Sequence, residues 1–207
     1  MLNTYGQRNE EIRLFVINKI IAQPVFSRDF LGSIFPDDTV NMLLDIFKND
    51  VDSLARIYMN AYSINDHMDY EGTLFKAIFE LWPCIWNNYI DWIKDHTYRD
   101  GYDQKKFMLV WESKTWKQCI DYAFNVLIYQ EKNLYIEHYA QLILGQVDVA
   151  YVISRKKEWI YSELNKVYKD LEKCKRLIHA VVTATPHWKL EILLEFLKLN
   201  KNIDAFK

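Results

Sequence analysis

Two short segments, Trp86-Asn-Asn-Tyr-Ile-Asp-Trp92 and Trp116-Lys-Gln-Cys-Ile-Asp-Tyr122, share the pattern W-x-x-x-I-D-aromatic at a spacing of 30 residues. In a helix, the first Trp and the Ile of each segment lie one turn apart on the same face. A repeated amphipathic helix buries its apolar stripe against a copy of itself, so the pattern predicts stacked helical units that form a scaffold or recognition surface. The segments match at only four positions, and chance similarity between two amphipathic helices stays open as the alternative.

The composition also favours helices. The chain has 207 residues, half of them hydrophobic, which is enough for a large core in one domain or a short run of stacked units. Five Gly and four Pro are too few for the turns of an all-β or dinucleotide-binding fold. We therefore predict an all-α fold, an irregular, solenoid-like array of about nine or ten antiparallel helices.

Charge is distributed unevenly along the chain. Residues 1–100 contain 9 Lys+Arg and 15 Asp+Glu, a balance of −6, whereas residues 101–207 contain 17 and 13, a balance of +4. The loop around residues 98–103 is the clearest break in the helical pattern. It divides the chain into a predicted N-terminal bundle, 1–97, and a C-terminal helical array, 98–207, that packs against it. One continuous domain is the alternative.

Three cysteines, Cys84, Cys119 and Cys174, fit neither a disulfide framework nor a zinc site. Each has apolar neighbours at helical spacing, so all three are predicted to be buried, reduced thiols, and the chain to be cytoplasmic. The N-terminus has no apolar signal core, and no stretch is long and apolar enough to span a membrane. Neither export nor membrane insertion is predicted.

Capping residues and prolines predict where individual helices begin and end. A first helix runs from Asn9 to about Ile21 and ends before Pro24. Asp52, Asp69 and Ser113 are predicted to begin later helices, and Pro83 to interrupt the one after Asp69. The buried side of the first helix is predicted to contain Ile12, Phe15, Val16, Lys19 and Ile20.

One segment alternates as a strand would. Val147, Val149, Tyr151 and Ile153 have period two, and Phe107–Trp111 is a candidate partner strand. A small two-stranded sheet therefore stays open, although an isolated pair is marginal in water and helices explain the flanking segments.

No pattern of catalytic residues is found. The chain contains no phosphate-binding glycine loop, no G-x-S-x-G and no H-E-x-x-H. Asp66, His67, Asp69 and Glu71 cluster, but a solvated loop and helix cap explains them better than a metal. His179 lies five residues after Cys174, which is poor facing geometry, and is interpreted as a core or boundary histidine. We predict no enzyme activity, no cofactor and no metal.

A basic ridge is the most distinctive polar pattern. Lys166, Lys169, Lys173 and Arg176 are spaced 3, 4 and 3 residues apart, which predicts one line of cations along a helix. Interleaved acids such as Glu163 and Asp170 are equally typical of ion pairing on a solvated face. Phosphate or nucleic-acid binding is kept as an alternative function, although nucleic acid is not the favoured partner.

The last predicted helix has more apolar surface than one neighbour can cover. Its candidate partner-binding residues are Trp188, Ile192, Phe196, Leu199 and Phe206. Burying even two such side chains contributes roughly 3 to 6 kcal/mol. We therefore expect either a homodimer through this helix or contact with the rest of a longer parent chain.

The segment from Thr185-Pro-His-Trp188 to Phe206-Lys207 resembles parts of the helical C-terminal arrays of large bacterial multidomain, signal-transducing P-loop ATPases. The resemblance covers some 25 residues and a general style of aromatic-rich helices. It implies a sensor array that recognises partner proteins, including phage components, with the ATPase elsewhere in a longer signalling or defence protein. No functional residue is implied, because the family has no catalytic motif in this region.

The leading hypothesis is therefore a non-catalytic helical scaffold or recognition module that binds another protein. A nucleic-acid-binding domain that uses the basic ridge is the alternative. An enzyme would require a deep pocket lined by several of the Asp, Glu and His residues named above.

Overall fold

A computed structural model describes residues 10–32, 39–65, 68–69, 71–96, 102–129, 135–144, 158–159, 162–163, 165–167 and 169–184. Within these ranges the chain forms ten α-helices and one π-helix and contains no strand. The predicted all-α fold is confirmed. The alternating segment, 147–153, lies outside the described residues.

The chain divides into two compact units, Met1–Trp92 and Ile93–Lys207, with the division inside a helix five residues before the predicted boundary. The first unit contains α1 (Glu10–Ala22), α2 (Pro24–Gly32), α3 (Thr39–Phe47), α4 (Val51–Ile64), α5 (Thr73–Leu81) and nearly all of α6 (Ile85–Ile93). The second unit contains α7 (Tyr102–Glu112), α8 (Trp116–Phe124), the π-helix (Asn125–Tyr129), α9 (Ile136–Leu144) and α10 (Leu171–Ala184). Residues 158–159, 162–163 and 165–167 are also helical.

Helix α4 is the centre of the first unit, where it packs against α1, α2, α3 and α5. Its Leu54, Ile57 and Tyr58 are fully buried and lie three and one residues apart, a spacing that places them on one side of the helix. The prediction that Asp52 begins this helix is wrong by two residues. Asp50 is the cap, because its Oδ1 accepts a hydrogen bond from the Ser53 amide at 3.4 Å.

Asp69 caps the start of α5, as predicted, but Gly72 is at the N-cap position and Asp69 is buried rather than solvated. Asp69 accepts hydrogen bonds from the amides of Leu74 and Phe75, at 3.3 and 2.9 Å, and from the Tyr58 hydroxyl at 3.1 Å. Gly72 allows this approach because its φ of 72° is a left-handed conformation that glycine adopts at little cost. The predicted break at Pro83 is also confirmed, since α5 ends at Leu81 and α6 begins at Ile85.

The predicted buried side of α1 is wrong. Ile17 is buried, whereas Ile12 and Phe15 are exposed. Apolar residues lie on nearly every side of this helix, so spacing alone does not identify the side that packs against α2 and α4.

Around α7, one alternative that was left open and one prediction are wrong: the strand at Phe107–Trp111 and the cap at Ser113. Phe107–Trp111 is helical rather than a strand, and Phe107, Val110 and Trp111 are buried at helical spacing. Ser113 does not cap α8. Instead its hydroxyl donates to the Val110 carbonyl at 2.8 Å, which satisfies an acceptor at the end of α7.

The two copies of the repeated Trp pattern lie on α6 and α8, in different units. Trp86 is fully buried, whereas Trp116 is half-buried. Asp91 is exposed, whereas Asp121 accepts a hydrogen bond from Trp159. The copies therefore have helical conformation in common but occupy different environments.

The cysteines differ in exposure. Cys119 and Cys174 are buried, as predicted, but Cys84 is exposed. Cys84 follows Pro83 in the break between α5 and α6, so it lies on neither helix and lacks the packing that its apolar neighbours predict.

Candidate functional site

The basic ridge does not follow one continuous helix. Lys166 lies in the helical stretch 165–167, whereas Lys173 and Arg176 lie on α10. Asp170 separates them, because its Oδ1 accepts the Lys173 amide at 3.1 Å and caps α10. The prediction of a single helical line is therefore wrong, although the lysines remain close together in space.

Three of the four ridge residues line a surface pocket of about 500 Å³ in the second unit, here named the Tyr129 pocket. One wall comes from α8 and the π-helix and contains Asp121, Asn125 and Tyr129. The other wall contains Glu163, Lys166, Val167, Lys169, Asp170 and Lys173.

The wall that contains Asp121, Asn125 and Tyr129 was not predicted from the sequence as part of a site. Asp121, Asn125 and Tyr129 are spaced four residues apart, a spacing that places them along one side of a helix. The last two belong to a π-helix, a rare conformation that is frequent at functional sites. The spacing could have indicated the shared side, but not which segment of the chain packs opposite it.

All three carboxylates of the pocket are engaged within the protein. Asp121 Oδ1 accepts a hydrogen bond from the Trp159 indole at 2.5 Å. Buried Glu163 accepts one from Lys166, which raises the pKa of that lysine. Asp170 caps α10, and its Oδ2 lies 3.7 Å from Lys173 Nζ.

Tyr129 is the least satisfied group of the pocket. Its hydroxyl oxygen is buried and has no hydrogen-bond partner among the described residues. Burial, followed by the charges of Glu163, Cys174 and Asp121, raises the pKa of Tyr129 far above its usual value. Its backbone carbonyl is held by Arg176, whose Nη1 donates to it at 2.8 Å. Arg176 thus fixes α10 to the π-helix rather than lining the pocket.

Cys174 and His179 do not form a catalytic pair. Cys174 is completely buried, and burial, with Asp170 nearby, raises the pKa of its thiol, which opposes thiolate formation. His179 is exposed on α10, so its interpretation as a core or boundary residue is wrong.

The residues that cluster in the sequence, Asp66, His67, Asp69 and Glu71, do not form one site in the described structure. Asp69 is committed to capping α5, Glu71 is exposed, and Asp66 and His67 lie outside the described residues. Among the described residues, no group of three or more His, Cys, Asp and Glu side chains is placed to hold a metal ion.

The first unit has a second candidate site, the α1–α2 apolar surface. Five large apolar side chains of α1 and α2 are between 44% and 62% exposed: Ile12, Leu14, Phe15, Val25 and Phe26. Only Gln23 separates the two helices. Phe15 lies before the end of α1 by a distance of roughly 11 Å along the helix axis. Ile12 and Phe15, three residues apart, lie on one side of α1, whereas Leu14 lies on another, and Val25 and Phe26 are in the first turn of α2.

The predicted partner-binding residues of the last helix, Trp188 to Phe206, lie outside the described residues. Within the described part of the chain, no helix is long and apolar enough to cross a membrane.

No protein-family model, no curated protein and no solved structure matches this chain. The resemblance to the helical arrays of bacterial P-loop ATPases therefore stays a prediction.

Proposed function

We propose that this chain is a non-catalytic helical recognition module that binds another protein through the α1–α2 apolar surface. The exposure of Phe15, at 62%, and of Phe26, at 49%, is the observation that carries the proposal. Aromatic side chains supply much of the binding energy at protein interfaces. Covering each half-exposed side chain contributes roughly 1 kcal/mol.

Charge indicates the kind of partner. Residues 1–92 contain 7 Lys+Arg and 13 Asp+Glu, a balance of −6. Helices α1 and α2 are themselves balanced, with three Lys+Arg and three Asp+Glu, so the negative charge of the unit attracts a basic partner at long range rather than by ion pairs at this surface. The expected partner is therefore a different protein that presents an amphipathic helix with Lys and Arg beside its apolar side.

The nucleic-acid alternative has weaker support. Three carboxylates share the Tyr129 pocket with its three lysines, and the Arg176 guanidinium is engaged by a backbone carbonyl. Lys and Arg side chains supply the affinity for a polyphosphate backbone, and acids beside them reduce the attraction.

Selection of displayed helical peptides against the full chain tests the proposal. We expect enrichment of sequences with apolar residues at i, i+3 or i+4 and i+7 and with Lys or Arg beside them, and binding that weakens as salt rises. Selection of acidic peptides, or of none, would contradict the proposal. A dimer in sedimentation that Phe15→Ser with Phe26→Ser dissociates would identify the partner as a second copy instead.

A further inference from the structure

Two polar side chains, Ser27 and Asn60, hold the corner at Gln23 where α1 meets α2, here named the α1–α2 corner. We propose that they are positioning residues for partner binding, because they fix the place of Phe15 relative to Phe26. This inference rests on the proposed function, since it concerns how the same apolar surface is held.

Pro24 creates the corner. Proline has no amide hydrogen, so Pro24 cannot donate to the carbonyl of Ile20, four residues earlier, and α1 ends before it. Proline suits the first position of a helix, and α2 begins at Pro24. The amides of Phe26 and Ser27 donate to the Gln23 carbonyl at 2.9 and 3.2 Å. The last carbonyls of α1 therefore need donors from outside the helix.

Ser27 and Asn60 supply two of these donors. The Ser27 hydroxyl donates to the Ile20 carbonyl at 2.9 Å, whereas the bond from the Gln23 amide to the same oxygen is longer, at 3.4 Å. Asn60, which lies on α4, donates from Nδ2 to the Ile21 carbonyl at 2.8 Å. One bond thus fastens the end of α1 to α2, and the other fastens it to α4.

Apolar packing holds α1 less firmly than it holds α2. Among the α1 side chains that the structure describes, Ile17 is buried and the others are exposed or half-buried. In α2 both Ser27 and Leu31 are buried, and α2 packs far more extensively against α4 than α1 does. The two side-chain hydrogen bonds therefore have a large part in determining the direction of α1.

Phe15 is sensitive to this direction because it lies far from the corner. At roughly 11 Å from the end of α1, it moves by about 2 Å when the helix rotates by about 10° at the corner. Phe26 is in the first turn of α2 and keeps its place against α4. A preorganised site keeps its contact groups within about 0.5 Å, so a looser corner costs affinity without removing a contact residue.

Amide hydrogen exchange and peptide affinity, both measured on the full chain, test the proposal. Ser27→Ala and Asn60→Ala should each speed exchange of the α1 amides about tenfold and leave the α4 amides unchanged. Each should weaken binding of the selected basic amphipathic peptide about five- to tenfold. Saturating peptide should slow α1 exchange in both variants, because the bound partner then holds the helix.

Ser63→Ala and Asn125→Ala are the matched controls. The Ser63 hydroxyl donates to the Asn60 carbonyl at 2.7 Å, and Asn125 Nδ2 donates to the Asp121 carbonyl at 2.9 Å. Each control removes the same kind of bond, but between residues only three or four apart in sequence. Both should change α1 exchange and peptide affinity by less than about twofold.

Unchanged α1 exchange in Ser27→Ala and Asn60→Ala would overturn the proposal, and so would equally faster exchange in α1 and α4. Faster α1 exchange with unchanged affinity would overturn the positioning role and leave the proposed function intact. The proposed function fails instead if no basic peptide is selected, or if Phe15→Ser with Phe26→Ser binds as tightly as the original chain. The positioning role in binding then fails with it, whatever the exchange rates.

Discussion

The Tyr58 hydroxyl donates a hydrogen bond to the Asp69 carboxylate, with 3.1 Å between Oη and Oδ2, and both side chains are buried. The same carboxylate accepts the amides of Leu74 and Phe75 in the first turn of α5. One side chain thus connects α4 to the start of α5.

Asp69→Ala should lower the free energy of unfolding by about 2 to 4 kcal/mol, because it leaves two amides and the Tyr58 hydroxyl without their acceptor. Tyr58→Phe should cost only about 1 kcal/mol, since the amide bonds to Asp69 remain. Urea denaturation of both variants and of the double variant measures the coupling. Additive effects of the two substitutions would contradict the described connection.

A second tyrosine should behave in the opposite way. Within the part of the chain that the structure describes, the buried Tyr129 hydroxyl has no partner, so Tyr129→Phe should leave stability at pH 7 unchanged or raise it. The same urea experiment compares it with Tyr58→Phe. A loss at Tyr129 as large as that at Tyr58 would indicate that the hydroxyl has a partner within the folded chain.

Tyr129 should also make folding sensitive to alkaline pH. Its pKa is raised by burial in the folded state and is near 10 in the unfolded chain. The unfolded state therefore loses its proton first, and stability that is fully present below about pH 10 is lost as the pH rises further. Each pH unit above 10 should cost up to about 1.4 kcal/mol. Urea unfolding at increasing alkaline pH should give a smaller decline for Tyr129→Phe than for the original chain.

The three cysteines should react at different rates with a thiol reagent. Cys84 is exposed in the break between α5 and α6, whereas Cys119 and Cys174 are buried. Because burial raises the pKa of the Cys174 thiol, its thiolate is scarce near pH 8. One equivalent should react rapidly and the others only on unfolding, and Cys84→Ser should abolish the rapid phase. Two rapid equivalents would contradict the described burial.

Much of the fold follows from local patterns. Leu54, Ile57 and Tyr58 recur at helical spacing, so the buried side of α4 could be predicted, although its first residue could not. The carboxylate of Asp69 and the missing amide hydrogen of Pro83 indicated the cap of α5 and its end. Helix α1 could not be predicted as well, because apolar residues on nearly every side hide which one is buried. The prediction that Cys84 is buried was wrong because it relied on the apolar neighbours in the sequence. The exposure of Cys84 results from the break between α5 and α6.

The candidate sites were only partly predictable. Spacing grouped Lys166, Lys169 and Lys173, but it could not indicate that Asp170 would end one helical stretch and cap the next. Asp121 and Tyr129 lie some 40 residues earlier in the chain, and their position opposite these lysines depends on tertiary packing. The exposure of Phe15 and Phe26 likewise depends on which side of each helix faces its neighbours.

The most direct test of the proposed function is the affinity of a selected basic amphipathic peptide for three forms of the full chain. Phe15→Ser combined with Phe26→Ser should weaken binding by about 30-fold relative to the original chain, because two exposed aromatic anchors that contribute roughly 1 kcal/mol each are lost. Leu81→Ser is the control, since Leu81 is an equally exposed apolar residue, at 57%, outside α1 and α2. It should change the affinity less than about twofold. Unchanged binding by the double variant, or equal losses in both variants, would contradict recognition through the α1–α2 apolar surface.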